Sequence, residues 1–469
     1  MENKTKGELL QEELLLKAEN ATNKLSDEEL KKAYDFCEPY KKFMDAAKIE
    51  NEAVRVTIEM LEAHGYKAFE PGKKYMPGEK FYSNNRGRAL IFGTMGKRPI
   101  EQGVKILASH IDSPRLDLKQ RPLYEESELA LLKTHYYGGV RRYQWAARPL
   151  ALHGDMYKKD GSVVHVTIGE DENDPVFIVS DLLPHLAKDQ NQRTLKDGLK
   201  GEEMNVVIGS QVFKDDKASQ KVKLNILRLL NEKYGVVEGD FLSAELTCVP
   251  AVKAKDVGLD RSLLGAYGHD DRVCAYTSLM AELDYNKDPD WTSVVVFADK
   301  EEVGSDSNTG LNSAFMEYFI ADLAAPYNVP VRTVLSNSKC LSADVSAAFD
   351  PTFPDVFEKR NTSFLNYGVC IVKYTGSGGK GGTNDCYAKF AGDVRRVMDN
   401  ANVIWQTGEL GKVDQGGGGT VAKFISALNV DVIDIGVPVM AMHAPFEVVA
   451  KTDVYMTYRA FYEFLKAEL

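Results

Sequence analysis

Two adjacent carboxylates, Glu301 and Glu302, follow the apolar run Val294-Val295-Val296-Phe297-Ala298 within the segment Asp299-Lys300-Glu301-Glu302-Val303-Gly304-Ser305. Side by side beyond a buried strand they repel each other, and they gain nothing structurally unless a cation or a proton lies between them. One could then serve as a metal ligand and the other as a general base toward an attacking water. Other strand ends carry matching chemistry: His110-Ile111-Asp112-Ser113 after Val104 to Ala108, Ser342-Ala343-Asp344 after Val331 to Leu335, and Met442-His443-Ala444 after Val432 to Val439. A fifth segment, Gly268-His269-Asp270-Asp271-Arg272, opens an apolar-periodic helix. Imidazole and carboxylate donors suit hard or borderline divalent ions such as zinc. Together these residues point to hydrolysis by a water activated between two metal ions.

Each motif alone has a plainer reading. A lone His at a strand end is often a satisfied polar group, and Asp270-Asp271 could be an acidic pair favoured by a helix macrodipole. Glu301-Glu302 could be a solvated acidic loop. What favours chemistry is shared placement, because ligands in open α/β sheets bind beyond the carboxyl ends of strands. Asp112 fits a role orienting His110 better than that of a separate ligand. Asp270, placed before a helix start, would present a carboxylate able to bridge two cations, and His269 reads as a neighbour. The runs Gly376 to Gly382 and Gly416 to Gly419 do not form a phosphate loop, since Lys380 is followed by Gly381. Close backbone approach to a bound peptide and plain loop flexibility both fit them. Lys380 could read an acidic substrate side chain or be a solvated lysine.

The elements that must position these groups divide the chain. Ser26-Asp27-Glu28-Glu29 is a capping box opening a helix that Pro39 should interrupt, and a second helix is expected from Tyr40 to His64, stopped by Gly65. Ala89 to Thr94 and Val104 to Ala108 read as strands. From Leu116 to Thr247 the texture shifts to short alternating runs such as Val163 to Ile168, with a helix over Lys221 to Tyr234 and a long polar loop over Lys188 to Asn205. Beyond Ala244 strands and helices alternate to the end, with a strand expected over Val331 to Leu335 and helices over Arg272 to Leu283, Asn312 to Ala324, Cys386 to Met398, Thr420 to Leu428 and Thr452 to Leu469. The fold class is therefore α/β, a mixed sheet with helices on both faces. The expected domains are residues 1–115 and 248–469 as one discontinuous catalytic unit, and residues 116–247 as a β-rich insertion.

Composition narrows the partners. A net charge of −11 without a basic stripe argues against nucleic acid. No run of 18 apolar residues is present, so no membrane span is expected. The N-terminal segment lacks the apolar region of a signal peptide, and the six cysteines show no C-x-x-C spacing. These features point to a cytoplasmic protein with free thiols.

In combination, H-I-D-S-P, H-D-D-R, D-K-E-E-V-G-S, S-A-D-V and M-H-A-P resemble the aspartyl aminopeptidase / aminopeptidase I family of dinuclear zinc metallopeptidases, in order and spacing over nearly the whole chain. Asn85-Arg86-Gly87 and Pro184-His185-Leu186 extend the likeness. The resemblance implies a metalloaminopeptidase that removes the N-terminal residue from short peptides with a free N-terminus. His110, Asp270 and Asp344 would hold one zinc ion, and Asp270, Glu302 and His443 the second. Glu301 would be the general base and Asp112 the residue orienting His110. The family pattern also implies that the insertion mediates self-association into a homo-oligomer, a tetrahedral dodecamer, whose neighbouring subunits contribute to the sites. His185 is a candidate for that contribution and Lys380 for substrate binding. Some relatives carry a second His four positions after the one matching His185, where this chain has Asp189, a departure from that cross-subunit pattern. The alternative is a non-catalytic metal-binding scaffold or cargo shell, which has no use for a base beside Glu302.

Overall fold

The computed structural model describes residues 4–287 and 289–469. Its centre is a nine-stranded mixed sheet. In spatial order the strands are Lys67–Ala68, Lys80–Asn85, Ala89–Thr94, Ser293–Ala298, Lys105–His110, Lys339–Ala343, Asp431–Gly436, Val369–Val372 and Trp405–Thr407. The four strands from Ser293–Ala298 to Asp431–Gly436 are mutually parallel, so their carboxyl ends share one edge. That alignment brings the segments after Ala298, His110 and Ala343 together although His110 lies 188 and 233 residues before the other two.

These central strands are apolar on both sides because helices cover both faces. Along Ser293–Ala298, Val295 and Phe297 enter one core with Leu107, Leu341 and Ile433. Val294, Val296 and Ala298 enter the opposite core with Ile106, Ala108 and Val432. The first face is covered by helices Asp27–Ala46, Glu50–Ala63, His269–Tyr285, Ala388–Asn400 and Lys451–Lys466, and the second by Phe315–Ala324, Val331–Asn337 and Ala422–Ser426.

A second sheet of seven strands, all antiparallel, is built between Arg115 and Pro250 and packs under helix Lys221–Tyr234 with its own apolar core. Buried charges join it to the first unit. Arg115 donates to both oxygens of Glu50, at 2.7 and 3.0 Å. Lys48 Nζ donates to Glu170 at 2.6 Å and to the Pro250 carbonyl at 2.8 Å. Removing one partner of such a buried pair costs about 3–5 kcal/mol, because the other charge stays desolvated. A small third sheet, in the order Lys255–Val257, Leu263–Ala266, Glu447–Ala450, Pro438–Met440 and Ser346–Ala347, flanks the carboxyl edge of the first.

Several sequence expectations differ from the fold: the run Val432 to Val439 before His443 is split between strand Asp431–Gly436 of the first sheet and Pro438–Met440 of the third. Helix Asp27–Ala46 runs through Pro39, keeping its capping box at Ser26. The buried stripe Ala33, Cys37, Tyr40, Phe43 and Met44 holds the helix, while Pro39 and the Asp35 carbonyl that loses its donor lie on the exposed side. The expected helix from Tyr40 to His64 is broken between Ala46 and Glu50, where the Glu52 carboxylate accepts from Lys48 N at 3.0 Å and Ile49 N at 3.3 Å. Val331 to Leu335 is not a strand but part of helix Val331–Asn337, and the strand leading to Asp344 is Lys339–Ala343. Positions 331, 334 and 335 also fit an i, i+3, i+4 stripe, and a short apolar run does not separate the two periods.

Candidate metal centre

The site lies at the carboxyl edge of the parallel strands. His110 ends its strand and is buried. Its Nδ1 lies 3.0 Å from the Asp112 carbonyl, which only accepts, so Nδ1 carries a hydrogen. Nε2 then faces the carboxylates, 3.1 Å from Asp270 Oδ1 and 3.9 Å from both Glu301 Oε2 and Asp344 Oδ1. His443 is arranged in the same way. Its Nδ1 lies 3.3 Å from the Gly139 carbonyl, while Nε2 lies 3.0 Å from Asp270 Oδ2 and 3.4 Å from Glu302 Oε1. Asp270 thus stands between two imidazoles, one at each oxygen.

Asp270 and Asp271 open helix His269–Tyr285 with non-helical backbone, and the bond between them is cis. Ser113 Oγ donates to the Asp270 carbonyl at 2.7 Å, and His110 N donates to Asp271 Oδ2 at 3.3 Å. Asp112 is fully buried and accepts from Glu301 N at 3.1 Å, Glu302 N at 3.2 Å and the Tyr137 hydroxyl at 2.6 Å. Its Oδ1 is also 3.3 Å from His110 Nδ1. One carboxylate therefore fixes the backbone of Glu301-Glu302 and the ring of His110 together.

Crowding dominates the electrostatics. Burial first, then the Asp270 charge, pushes the Glu302 carboxyl well up. Burial, opposed by His110 but reinforced by Asp112 and Asp270, raises Glu301 to about 7. Burial and Asp271 raise Asp344. On His443 burial acts downward, but the bond to Asp270 and the Glu302 charge outweigh it and lift the imidazole to about 10. A proton or a cation among these carboxylates relieves their mutual repulsion.

The donor set fits metal ions. His110, Asp270 and Glu302 offer ligand atoms within 4.8 Å of one another, and so do His110, Asp271 and Asp344. Among the described residues Glu302 Oε1 is buried and finds no hydrogen-bond partner, only the His443 imidazole at 3.4 Å. The cleft over this cluster has a volume of about 370 Å³ and is lined by Asp270, Glu301, Glu302, Asp344 and His443 among others.

The structure does not bring Lys380 and His185 to this cleft. Lys380 pairs with Asp385 at 2.9 Å and lies over the Tyr374 ring, lining an adjacent hollow, while His185 is exposed on the seven-stranded unit. The glycine runs meet each other: Gly376 N donates to the Gly418 carbonyl at 2.5 Å, and a Cβ on Gly417 would fall 2.1 Å from the Gly376 oxygen. Gly417, Gly418 and Gly419 then form one wall of the cleft.

Sequence reasoning missed Tyr137, Gly139, Lys423 and Glu447. Tyr137 and Gly139 come from the end of strand Leu129–Tyr137 in the second sheet, and Lys423 lines the cleft. For Glu447 a signal existed, an acid opening the otherwise apolar strand Glu447–Ala450. The other three carry none, because only the fold places them here.

An α/β sheet with histidines and carboxylates gathered at its carboxyl edge defines a metallohydrolase architecture. Residues 43–465 match the family model described as aminopeptidase I zinc metalloprotease (M18), and the chain belongs to that family. It is 48% identical to a probable M18 family aminopeptidase 1 of Clostridium acetobutylicum, over 97% of this chain and 99% of that protein. The aminopeptidase I crystal structure from that organism superposes with a TM-score of 0.91 at 47% identity, covering 96% of this chain and all of that one. A Thermotoga maritima M18 aminopeptidase structure gives the same TM-score at 40% identity, covering 96% and 99%. A Saccharomyces mApe1 dodecamer shares the fold at 22% identity and a TM-score of 0.76, covering 92% and 96%. The protein is a metal-dependent aminopeptidase, a hydrolase of peptide bonds.

Proposed function

We propose that each subunit binds two divalent ions, zinc by family, and removes the N-terminal residue of short peptides with Glu301 as general base. The observation that carries this reading is Asp270, whose two oxygens face His110 on one side and His443 on the other. His110 and Asp344 are assigned with Asp270 to one ion, and Glu302 and His443 with Asp270 to the other. When bound, paired ions lower the pKa of a water and polarise the scissile carbonyl. Glu301, in the cleft but not paired by a short contact, is free to take the proton of the attacking water and return it to the leaving amine. Asp112 holds His110 and the Glu301-Glu302 backbone in place. Carboxylates in the cleft also suit the free ammonium of a peptide N-terminus.

We assign residues 116–247 to an inserted domain that drives self-association, with the dodecamer of the yeast relative as the working assembly. Exposed apolar side chains on this unit support it, among them Val176, Leu182, Leu183, Leu186, Leu195 and Leu242. The buried thiols suit a cytoplasmic setting. Among the described residues no helix is long and apolar enough to cross a membrane.

Glu301→Gln tests the mechanism. The amide keeps the shape but accepts no proton, so turnover should fall about 10²–10⁴-fold with metal content unchanged. Near-parental turnover with full metal would overturn Glu301 as the base. Peptide in free and N-acetylated forms, followed by mass, tests the exopeptidase reading, which equal cleavage of both would exclude. A stable, active monomer in sedimentation would exclude the assembly.

A further inference from the structure

Glu447 opens the middle strand of the small third sheet. On one side its strand pairs with Leu263–Ala266, in which Ala266 lies opposite Glu447 and the chain continues to Asp270. On the other side it pairs with Pro438–Met440, which leads to His443. The side chain reaches into the gap beyond both neighbours. Oε2 accepts from Asp270 N at 3.0 Å and Oε1 accepts from His443 N at 2.6 Å.

Both backbones need such a partner. Asp270 has non-helical angles at the helix start, and His443 sits at φ +64° in the left-handed region, so neither N–H belongs to a regular ladder. A buried N–H without an acceptor is destabilising, because it gives up its bond to water and gains none in return. Glu447 is itself 1% exposed, so no solvent substitutes for it. A carboxyl group presents an oxygen in each direction, whereas an amide would turn a donor toward one of the two N–H groups.

We propose that Glu447 is a positioning residue of the metal centre, a carboxylate clamp that sets the separation of Asp270 and His443 before metal arrives. This rests on the assignment of those two residues as ligands. Glu447 adds no ligand atom. It acts through the two backbones.

The test uses full-length protein carrying Glu447→Gln, Glu447→Asp or, as a control, His443→Ala. Zinc affinity is measured by competition with a chromogenic chelator, and backbone amide exchange is followed in the metal-free proteins. Partners of this kind typically govern about 10–100-fold in metal affinity, so E447Q should bind the more weakly held zinc that much less tightly. Exchange should quicken around residues 268–272 and 441–446 and nowhere else, and saturating zinc should restore kcat with KM little changed. E447D, which keeps both carboxyl oxygens on a shorter stem, should fall between E447Q and the parent.

Zinc affinity within twofold of the parent in E447Q, with a clear loss in H443A, would overturn the clamp and leave the ligand assignment standing. Unchanged zinc binding in H443A would instead overturn the assignment. If E447Q does not fold, E447D decides by the same two measurements. Loss of exchange protection throughout the metal-free protein, rather than at the two segments, would make Glu447 a general fold residue and overturn the proposal.

Discussion

Replacing Tyr137 with Phe removes one oxygen from the metal centre without touching any proposed ligand. The hydroxyl donates to Asp112 Oδ2 at 2.6 Å, and the ring packs under the Arg115 guanidinium, 4.1 Å from its centroid. Phe keeps the ring and its packing. What is lost is a hydrogen bond to a buried carboxylate, worth about 1.5–3 kcal/mol. Asp112 retains the amides of Glu301 and Glu302 and its contact with His110, so it stays in place but becomes more basic and less strictly oriented. At about 1.4 kcal/mol per factor of ten, the ceiling on the rate effect is roughly 10–100-fold. The loss should fall on kcat more than on KM, because Tyr137 does not line the cleft. Burial works to raise the Asp112 carboxyl, but His110 and the Tyr137 bond hold it below the ordinary value. Loss of the phenol should therefore move the acid limb of the rate profile to higher pH. Steady-state kinetics from pH 5 to 9 on the metal-saturated variant measure both effects. A Y137F enzyme within twofold of the parent at every pH would refute the idea that the second sheet supports the site through this phenol.

Gly139→Ala should abolish most activity while the protein stays folded, because the new Cβ would stand 2.9 Å from His443 Nδ1 and displace the imidazole; circular dichroism with zinc analysis separates the two. Dialysis against a chelator should remove activity and zinc should restore it, and excess zinc should raise the melting midpoint, since a ligand that binds only the folded state stabilises it. His153 lies between Glu52 at 2.7 Å and Glu170 at 3.0 Å; burial disfavours its charge, but the two carboxylates outweigh that and raise its pKa. The folded state therefore binds the proton more tightly than the unfolded chain, whose His titrates near 6.5. The stabilisation is complete below about pH 6.5 and fades as pH rises through the higher folded value. Urea titration should show H153Q losing most against the parent at pH 5.5 and little at pH 9, and an equal loss at both would exclude the charged bridge.

Much of the fold and the proposed ligand set was legible in the sequence. Apolar runs such as Val294 to Ala298 end in paired acids that call for a cation or a proton between them, and period-2 or period-3.6 patterning fixes most elements independently of their neighbours. Where local signals compete, the sequence was ambiguous. Val331 to Leu335 fits a strand by composition and a helix by spacing, and Pro39 breaks a helix only where its flank is not held by a buried stripe. What no local pattern carried was where the supporting residues would meet the ligands. Tyr137 and Gly139 reach the site from another sheet, and Glu447 reaches it because its strand lies between the two that deliver Asp270 and His443. The type of a side chain and its period along the chain are local properties, readable in one dimension. A hydrogen bond across 177 residues, such as that from Asp270 N to Glu447, exists only once the sheets have chosen their strand order, and that choice belongs to the tertiary structure.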